Sequence, residues 1–261
     1  MSNSTTVLGP LLQARKVSKR FGGLQALAEV DLEVRQGEHV ALVGDNGAGK
    51  STLVKILTGA DTPDRGQVWF GGNIVHFHSP LDARRAGIET VYQTLALAEH
   101  LDVAANLFLG REEYRLRLGP FSVLNVKSMR SKARDILATT GVQIPDLHAP
   151  VLGMSGGQRQ GVAIARAAGW GSRIIVLDEP TAALGVQETA KVEEIIRGLK
   201  RQGIAMLMIS HNLRQVFDLV DTVWVLRHGR MVGHLETRDT KPEEVVAMIT
   251  GVHEATGTDF A

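Results

Sequence analysis

The stretch Gly44-Asp45-Asn46-Gly47-Ala48-Gly49-Lys50-Ser51 has the spacing GxxxxGK[ST], and the chemistry of that spacing is phosphate binding. Its glycines let successive backbone N–H groups converge on anionic oxygens. A helix that starts near Lys50 points the positive end of its dipole at the same oxygens. Lys50 supplies a cation for the β- and γ-phosphates of a nucleotide, and the Ser51 hydroxyl, followed by Thr52, supplies a Mg²⁺ ligand. The flanks agree: the apolar run His39-Val40-Ala41-Leu42-Val43 precedes the loop and a helix-like run from Thr52 to Leu57 follows it.

Two further segments carry chemistry. Ile174-Ile175-Val176-Leu177 reads as a buried parallel strand that delivers Asp178-Glu179 to its C-terminal end. That rim is where doubly wound sheets bind ligands, so Asp178 is a candidate Mg²⁺ partner. Glu179 turns toward the γ-phosphate as a general base if the strand has ended there. In isolation the pair reads as an exposed acidic cap. Ser155-Gly156-Gly157-Gln158 opens a helix expected to run to Ala168. Ser155 is a good N-cap, and the two glycines leave N–H groups open to an anion. On this reading a side chain at position 157 blocks a phosphate's approach.

The elements that position these residues are legible in outline. The chain has 261 residues, enough for one large domain that buries roughly 70–75% of its unfolded surface. Lys+Arg 29 against Asp+Glu 28 gives a net charge of +1, not the footprint of a nucleic-acid binder. There is no Cys, which excludes disulfides and fits a reducing compartment. Residues 1–10 lack a signal-peptide pattern and read as loose. No apolar run reaches the roughly 18 residues that span a bilayer, so the chain is expected to be soluble or to ride on a membrane through another protein.

Residues 12–21, 31–34 and 67–77 read as strands of an antiparallel subdomain. From about 94 to 161 the strand signal fades, and 126–140 reads as a helix ended by Gly141. Val192, Ile195, Ile196 and Leu199 form one apolar helix face. Residues 204–209 read as a strand leading to His211, and 223–235 as a terminal hairpin. The last residues are polar and expected to be disordered. His76 and His78 share a strand face, but with no third ligand they suggest no metal site.

Over about residues 12–250 the chain resembles the ATP-binding subunits of ABC transporters. The resemblance rests on the phosphate loop, Val91-Tyr92-Gln93, Met154-Ser155-Gly156-Gly157-Gln158, the strand ending in Asp178-Glu179, and Ser210-His211. It implies one α/β domain with a P-loop core of ABC type (about 12–93 and 173–250), an antiparallel β-subdomain and an inserted helical subdomain (about 94–172). It also implies ATP with Mg²⁺, and a head-to-tail homodimer in which Ser155 of one copy completes the site of the other. Gln93 would touch Mg²⁺ and the attacking water, and His211 would bind the γ-phosphate and orient Glu179. Phe21 would stack on adenine, with a core phenylalanine as the competing reading. Met154 stands where Leu is usual, and Gly185 where Asp is usual, which puts the usual Asp contact across the dimer in question.

Ala182-Ala183-Leu184-Gly185-Val186, with His211-Asn212-Leu213, looks like the group that imports ribose, galactose, xylose and fructose. That places the chain on the cytoplasmic face of the inner membrane, as a peripheral subunit. Its partners are then a transmembrane permease and, indirectly, a periplasmic sugar-binding protein. A branched-chain amino-acid importer is the alternative, and a non-transport ATPase of the same type a more distant one. Leu95, Leu97, Leu101, Val103, Leu107, Phe108 and Leu109 make the stretch after Gln93 more apolar than a solvated loop needs. About half are expected in the core, and the rest to line a groove for a short permease helix.

Overall fold

The computed structural model describes residues 9–116 and 121–252. The readings for residues 1–8 and for the chain after 252 fall outside it. The chain begins with β1 (Leu12–Phe21) and β2 (Leu24–Val34), an antiparallel hairpin, then β3 (His39–Val43), the phosphate loop and α1 (Lys50–Leu57). Next come β4 (Arg65–Phe70), β5 (Asn73–Val75), α2 (Pro80–Ala86) and β6 (Ile88–Val91). The middle holds α3 (Val103–Leu107), the ribbon β7 (Tyr114–Leu116) and β8 (Val123–Leu124), α4 (Val126–Thr140) and α5 (Gly156–Ala168). The rest is β9 (Ile174–Asp178), α6 (Val186–Arg201), β10 (Ala205–Ile209), α7 (Leu213–Leu219), β11 (Thr222–Arg227), β12 (Arg230–Glu236) and α8 (Pro242–Thr250).

The central sheet has the order β12-β11-β3-β10-β9-β6. Its strands are parallel except for the β11–β12 hairpin. A second, antiparallel sheet has the order β2-β1-β4-β5. This is the expected α/β fold with its β-subdomain and helical segments. Alternation along the central strands explains the layering. Ile175 and Leu177 join the core beneath α3 to α8, while Ile174 and Val176 join the core shared with α1 and the antiparallel sheet. Both faces of β9 are therefore buried, which is why it reads as an unbroken apolar run.

Several boundaries differ from the sequence reading. The 31–34 strand begins at Leu24, whose 68% exposure hides it from any apolar pattern. The 67–77 strand is two strands, β4 and β5, with a turn at Gly71-Gly72 between them. His76 and His78 consequently lie beyond β5, in the approach to α2, and share no strand face. Among the described residues no group of three or more His, Asp or Glu is arranged to hold a metal ion.

Candidate functional site

The parallel strands β3, β10, β9 and β6 end along one edge of the central sheet, and each hands over a predicted site residue there. Register carries this: Ile209 pairs with Leu42 and with Asp178, and Val91 pairs with Leu177. The phosphate loop, His211, Asp178-Glu179 and Gln93 follow those four strand ends.

The phosphate loop is held from behind. A Cβ at Gly44 would fall 2.1 Å from the Leu226 carbonyl oxygen, so the chain passes there only as glycine. Gly49, with φ 107°, sits against Ala26 and Leu27 of β2. The Gly229 N–H donates to the Ala48 carbonyl at 2.9 Å, and the Ala28 N–H to the Gly229 carbonyl at 2.8 Å. The turn of the terminal hairpin thus fastens the loop to the β-subdomain. Asp45, Asn46 and Gly47 are exposed, as is Ser51, while Thr52 is half-buried. Lys50 Nζ donates to the carbonyls of Gly44 and Asp45, at 2.7 and 2.9 Å. Burial lowers the Lys50 pKa, against the opposing charges of Glu179, Asp45 and Asp178.

Asp178 ends β9, and burial raises its pKa, helped by the adjacent Glu179 charge and opposed by Lys50. Glu179 leaves the strand with φ 50°, an unusual backbone for a non-glycine residue. Its N–H donates to the Ile209 carbonyl at 2.9 Å. That kink turns the carboxylate to His211, whose Nδ1 lies 2.9 Å from Glu179 Oε2. The His211 side chain is 74% exposed and the Glu179 side chain 18%.

Gln215 is a residue the sequence reading missed. It is buried, and its Oε1 accepts from Thr181 Oγ1 at 3.0 Å and Ser210 Oγ at 3.4 Å. It ties the segment after Glu179 to the one before His211, and no motif marks it.

Gln93 lies two residues beyond the end of β6 and is exposed. Phe21 ends β1 at 50% exposure with Lys19 Nζ 5.4 Å from its ring centroid. It is not a core phenylalanine. Leu27, which pairs with Lys19, abuts Gly49, so the hairpin tip bearing Phe21 projects from beside the phosphate loop.

The Ser155 segment is not on the strand edge; it opens α5, which packs on α6. Ser155 Oγ accepts from the Gln158 N–H at 3.3 Å, and Gln158 Oε1 accepts from the Ser155 N–H at 3.0 Å, a reciprocal capping box. Glu188 of α6 reaches across. Its Oε1 accepts from the Gly157 N–H at 3.2 Å and its Oε2 from the Gly185 N–H at 3.4 Å. The Ser155 side chain and these two N–H groups hold the Glu188 pKa down.

Gly157 is also constrained within its own chain. A Cβ there would meet Glu188 Cβ at 2.9 Å and Cγ at 3.2 Å. The missing side chain faces α6 of the same chain. Gly156 likewise faces Leu184 at 2.9 Å.

Residues 27–182 match the family model described as ABC transporter. The chain is 44% identical over 243 residues to the xylose/arabinose import ATP-binding protein XylG of Sulfolobus acidocaldarius, covering 93% of this chain and 95% of that one. It is 44% identical over 248 residues to the fructose import ATP-binding protein FrcA of Rhizobium meliloti, covering 94% and 95%. A ribose import ATP-binding protein, RbsA 1 of Rubrobacter xylanophilus, is 42% identical over 93% of this chain but only 47% of its own length. Among solved structures, the ADP conformation of the ATP-binding cassette MJ1267 superposes with a TM-score of 0.77 at 26% identity, covering 92% of this chain and 95% of that one. The cassette MJ0796, solved as a dimer in a post-hydrolysis state with ADP and Pi, gives 0.71 at 25% identity, covering 87% and 99%.

Proposed function

This chain belongs to the ABC transporter family of ATP-binding proteins, and on that premise we propose that it is the ATP-hydrolysing subunit of a monosaccharide importer. It works as a head-to-tail homodimer with two shared ATP sites. The observation that carries the reading is the Glu179–His211 contact of 2.9 Å beside the lysine of the phosphate loop. The relatives named above are sugar importers, which favours a monosaccharide over a branched-chain amino acid.

In this reading each site residue has a role. The N–H groups from Gly44 to Thr52 and the Lys50 ammonium hold the triphosphate. The residues fit Mg²⁺: Asp178 and Glu179 are adjacent carboxylates in a desolvated position where their charges oppose one another. Ser51 and Asp178, with Gln93, would hold the ion, which when bound neutralises phosphate charge. Glu179 accepts a proton from the attacking water as the water oxygen bonds to the γ-phosphorus and the bond to ADP breaks. His211 fixes the orientation of that carboxylate. Ser155, with Gly156, Gly157 and Gln158, belongs to the surface that meets the partner's nucleotide. Phe21, exposed at the hairpin tip, is the residue on which adenine would stack.

Among the described residues no helix is long and apolar enough to cross a membrane. In this reading the chain is held at the cytoplasmic face of the membrane by the permease. Val103, Leu107 and Phe108 are buried, whereas Leu101 and Leu109 are 40% and 43% exposed. Those two leucines are the docking candidates.

The test is ATP hydrolysis in proteoliposomes carrying the chain, its permease and the sugar-binding protein. A loaded monosaccharide-binding protein should stimulate hydrolysis, and Lys50→Ala should remove it. Stimulation by an amino-acid-binding protein instead would transfer the chain to the other importer class.

A further inference from the structure

The loop after Gln93 is held in an unfavourable backbone shape by a side chain from the far end of α5. Leu95 and Ala96 have φ of 55° and 47°. Crowding at Cβ makes that region costly for any residue but glycine and a few short polar ones. The Ala96 N–H donates to the Thr94 carbonyl at 2.6 Å, which closes a γ-turn around Leu95. Positive φ at the centre of such a turn is its strained form. Nothing in the local sequence asks for it, since neither residue is glycine or asparagine.

Arg166 supplies the hold. Its Nη1 donates to the Ala96 carbonyl at 2.8 Å and its Nη2 to the Leu95 carbonyl at 2.9 Å. The fork of the guanidinium matches two carbonyls presented side by side, which a lysine ammonium does not. The other side of the loop is fixed by burial, because Leu95 and Leu97 pack against the core. The strand leading into the loop is also anchored. Glu89 of β6 is 6% exposed and pairs with Arg111 and, at 3.3 Å, with Arg84.

Arg166 lies in the last turn of α5, and Ser155 caps the first. The stretch of helix between them rises about 16 Å and is buried along much of its length. The helix is thus a direct connection between Ser155 and the carbonyls of Leu95 and Ala96.

We propose that Arg166 is a positioning residue that holds the Gln93 loop in a strained turn and so couples the loop to the position of the Ser155 helix. The proposal rests on the assignment of Gln93 and Ser155 to the ATP sites. A strained turn gripped from one side is a two-state element: held, it places Gln93, and released, it relaxes and withdraws it.

The test uses Arg166→Lys, Ala96→Gly and the two combined, in the full chain. Glycine takes positive φ without strain, so Ala96→Gly removes the strain at one of the two positive-φ positions and leaves Leu95 packed against the core. Hydrogen exchange of peptides covering 92–98 reads the loop, and steady-state ATP hydrolysis reads Gln93. Arg166→Lys should speed exchange in the loop about 10-fold or more, the scale for losing hydrogen bonds from a charged donor. It should lower kcat about 10-fold with KM for ATP within about 2-fold, since the phosphate loop is untouched. Adding Ala96→Gly should recover a measurable part of both losses, because the strain at Leu95 remains.

Unchanged exchange in Arg166→Lys, failure of glycine to rescue, or loss of protection across all peptides would each overturn the proposal. If the wild-type chain hydrolyses no ATP even when assembled with its permease in proteoliposomes, the assignment of the ATP sites fails instead. The exchange data then still decide whether Arg166 holds the turn.

Discussion

At the scale of single residues, two carboxylate–histidine or histidine environments make sharp predictions. Glu179 emerges from β9 through a positive φ and meets His211 at 2.9 Å. Glu179→Gln keeps the shape and removes the base. It should bind ATP and hydrolyse it at least ~10²-fold more slowly, as single-turnover hydrolysis with radiolabelled ATP would record. His39 offers a test of stability. It is fully buried on β3, with Nε2 3.2 Å from the Ile204 carbonyl. Burial first, and the Lys200 charge second, lower its pKa to about 4. A folded pKa below the unfolded value means the unfolded state binds the proton first. The stabilising contribution is complete above about pH 6.5 and is lost as pH falls toward about 4. By pH 5 the loss should be about 2 kcal/mol relative to pH 7.5. Urea melts of the wild type and His39→Gln at both pH values isolate it. Equal pH dependence in the two proteins would show that His39 titrates normally. The candidate site residues stand out in the sequence because their motifs are local; Gln215, Glu188 and Arg166 do not, because each bonds backbone or side chains far away in sequence.

At the scale of elements, legibility followed burial. α4 was read at its observed limits, Asn125 capping one end and Gly141, with φ 72°, the other. β9 and α5 were equally plain, one an unbroken apolar run and the other a capped amphipathic helix. The β7–β8 ribbon was not read, because all its residues are exposed and no alternation marks it. α2 has only Ala83 buried, too little to show a period. The contact of α5 with α6 was also hidden, and it adds a constraint at Gly157. Gly185 caps α6 without a side chain, and the Glu188 carboxylate takes over its N–H while gripping Gly157. Gly157→Ala inserts a methyl 2.9 Å from Glu188 Cβ, close to the α6 backbone, where neither helix can yield easily. It should destabilise the chain by about 1–3 kcal/mol, and denaturant unfolding without nucleotide would measure it. An unchanged unfolding midpoint would return Gly157 to a role reserved for the partner's phosphate.

At the scale of the whole molecule, the helical segments between β6 and β9 connect three surfaces: the Gln93 loop, the Ser155 cap and the exposed leucines. α3 lies between them. Its Asn106 is buried and bonds the carbonyls of Ala98, Leu101 and Asp102, while the Ala98 N–H donates back to it at 2.7 Å. This fully satisfied side chain rigidifies 98–106, so Leu101 and Leu109 are presented on a fixed frame. Phe108 packs edge-on against Trp170 at 4.9 Å, and the Trp170 indole donates to the Leu107 carbonyl at 3.2 Å. The same frame is therefore bolted to the end of α5. A permease helix seated on Leu101 and Leu109 would sense the ATP sites through contacts already made. Leu101→Glu and Leu109→Glu change exposed positions, so ATP binding by the isolated chain should stay within about 2-fold and stability within about 0.5 kcal/mol. Each should weaken co-purification with the permease and uncouple hydrolysis from sugar uptake, because a charge buried in an apolar groove costs several kcal/mol unless paired. Full association of the double variant with the permease would place the docking surface elsewhere on the molecule.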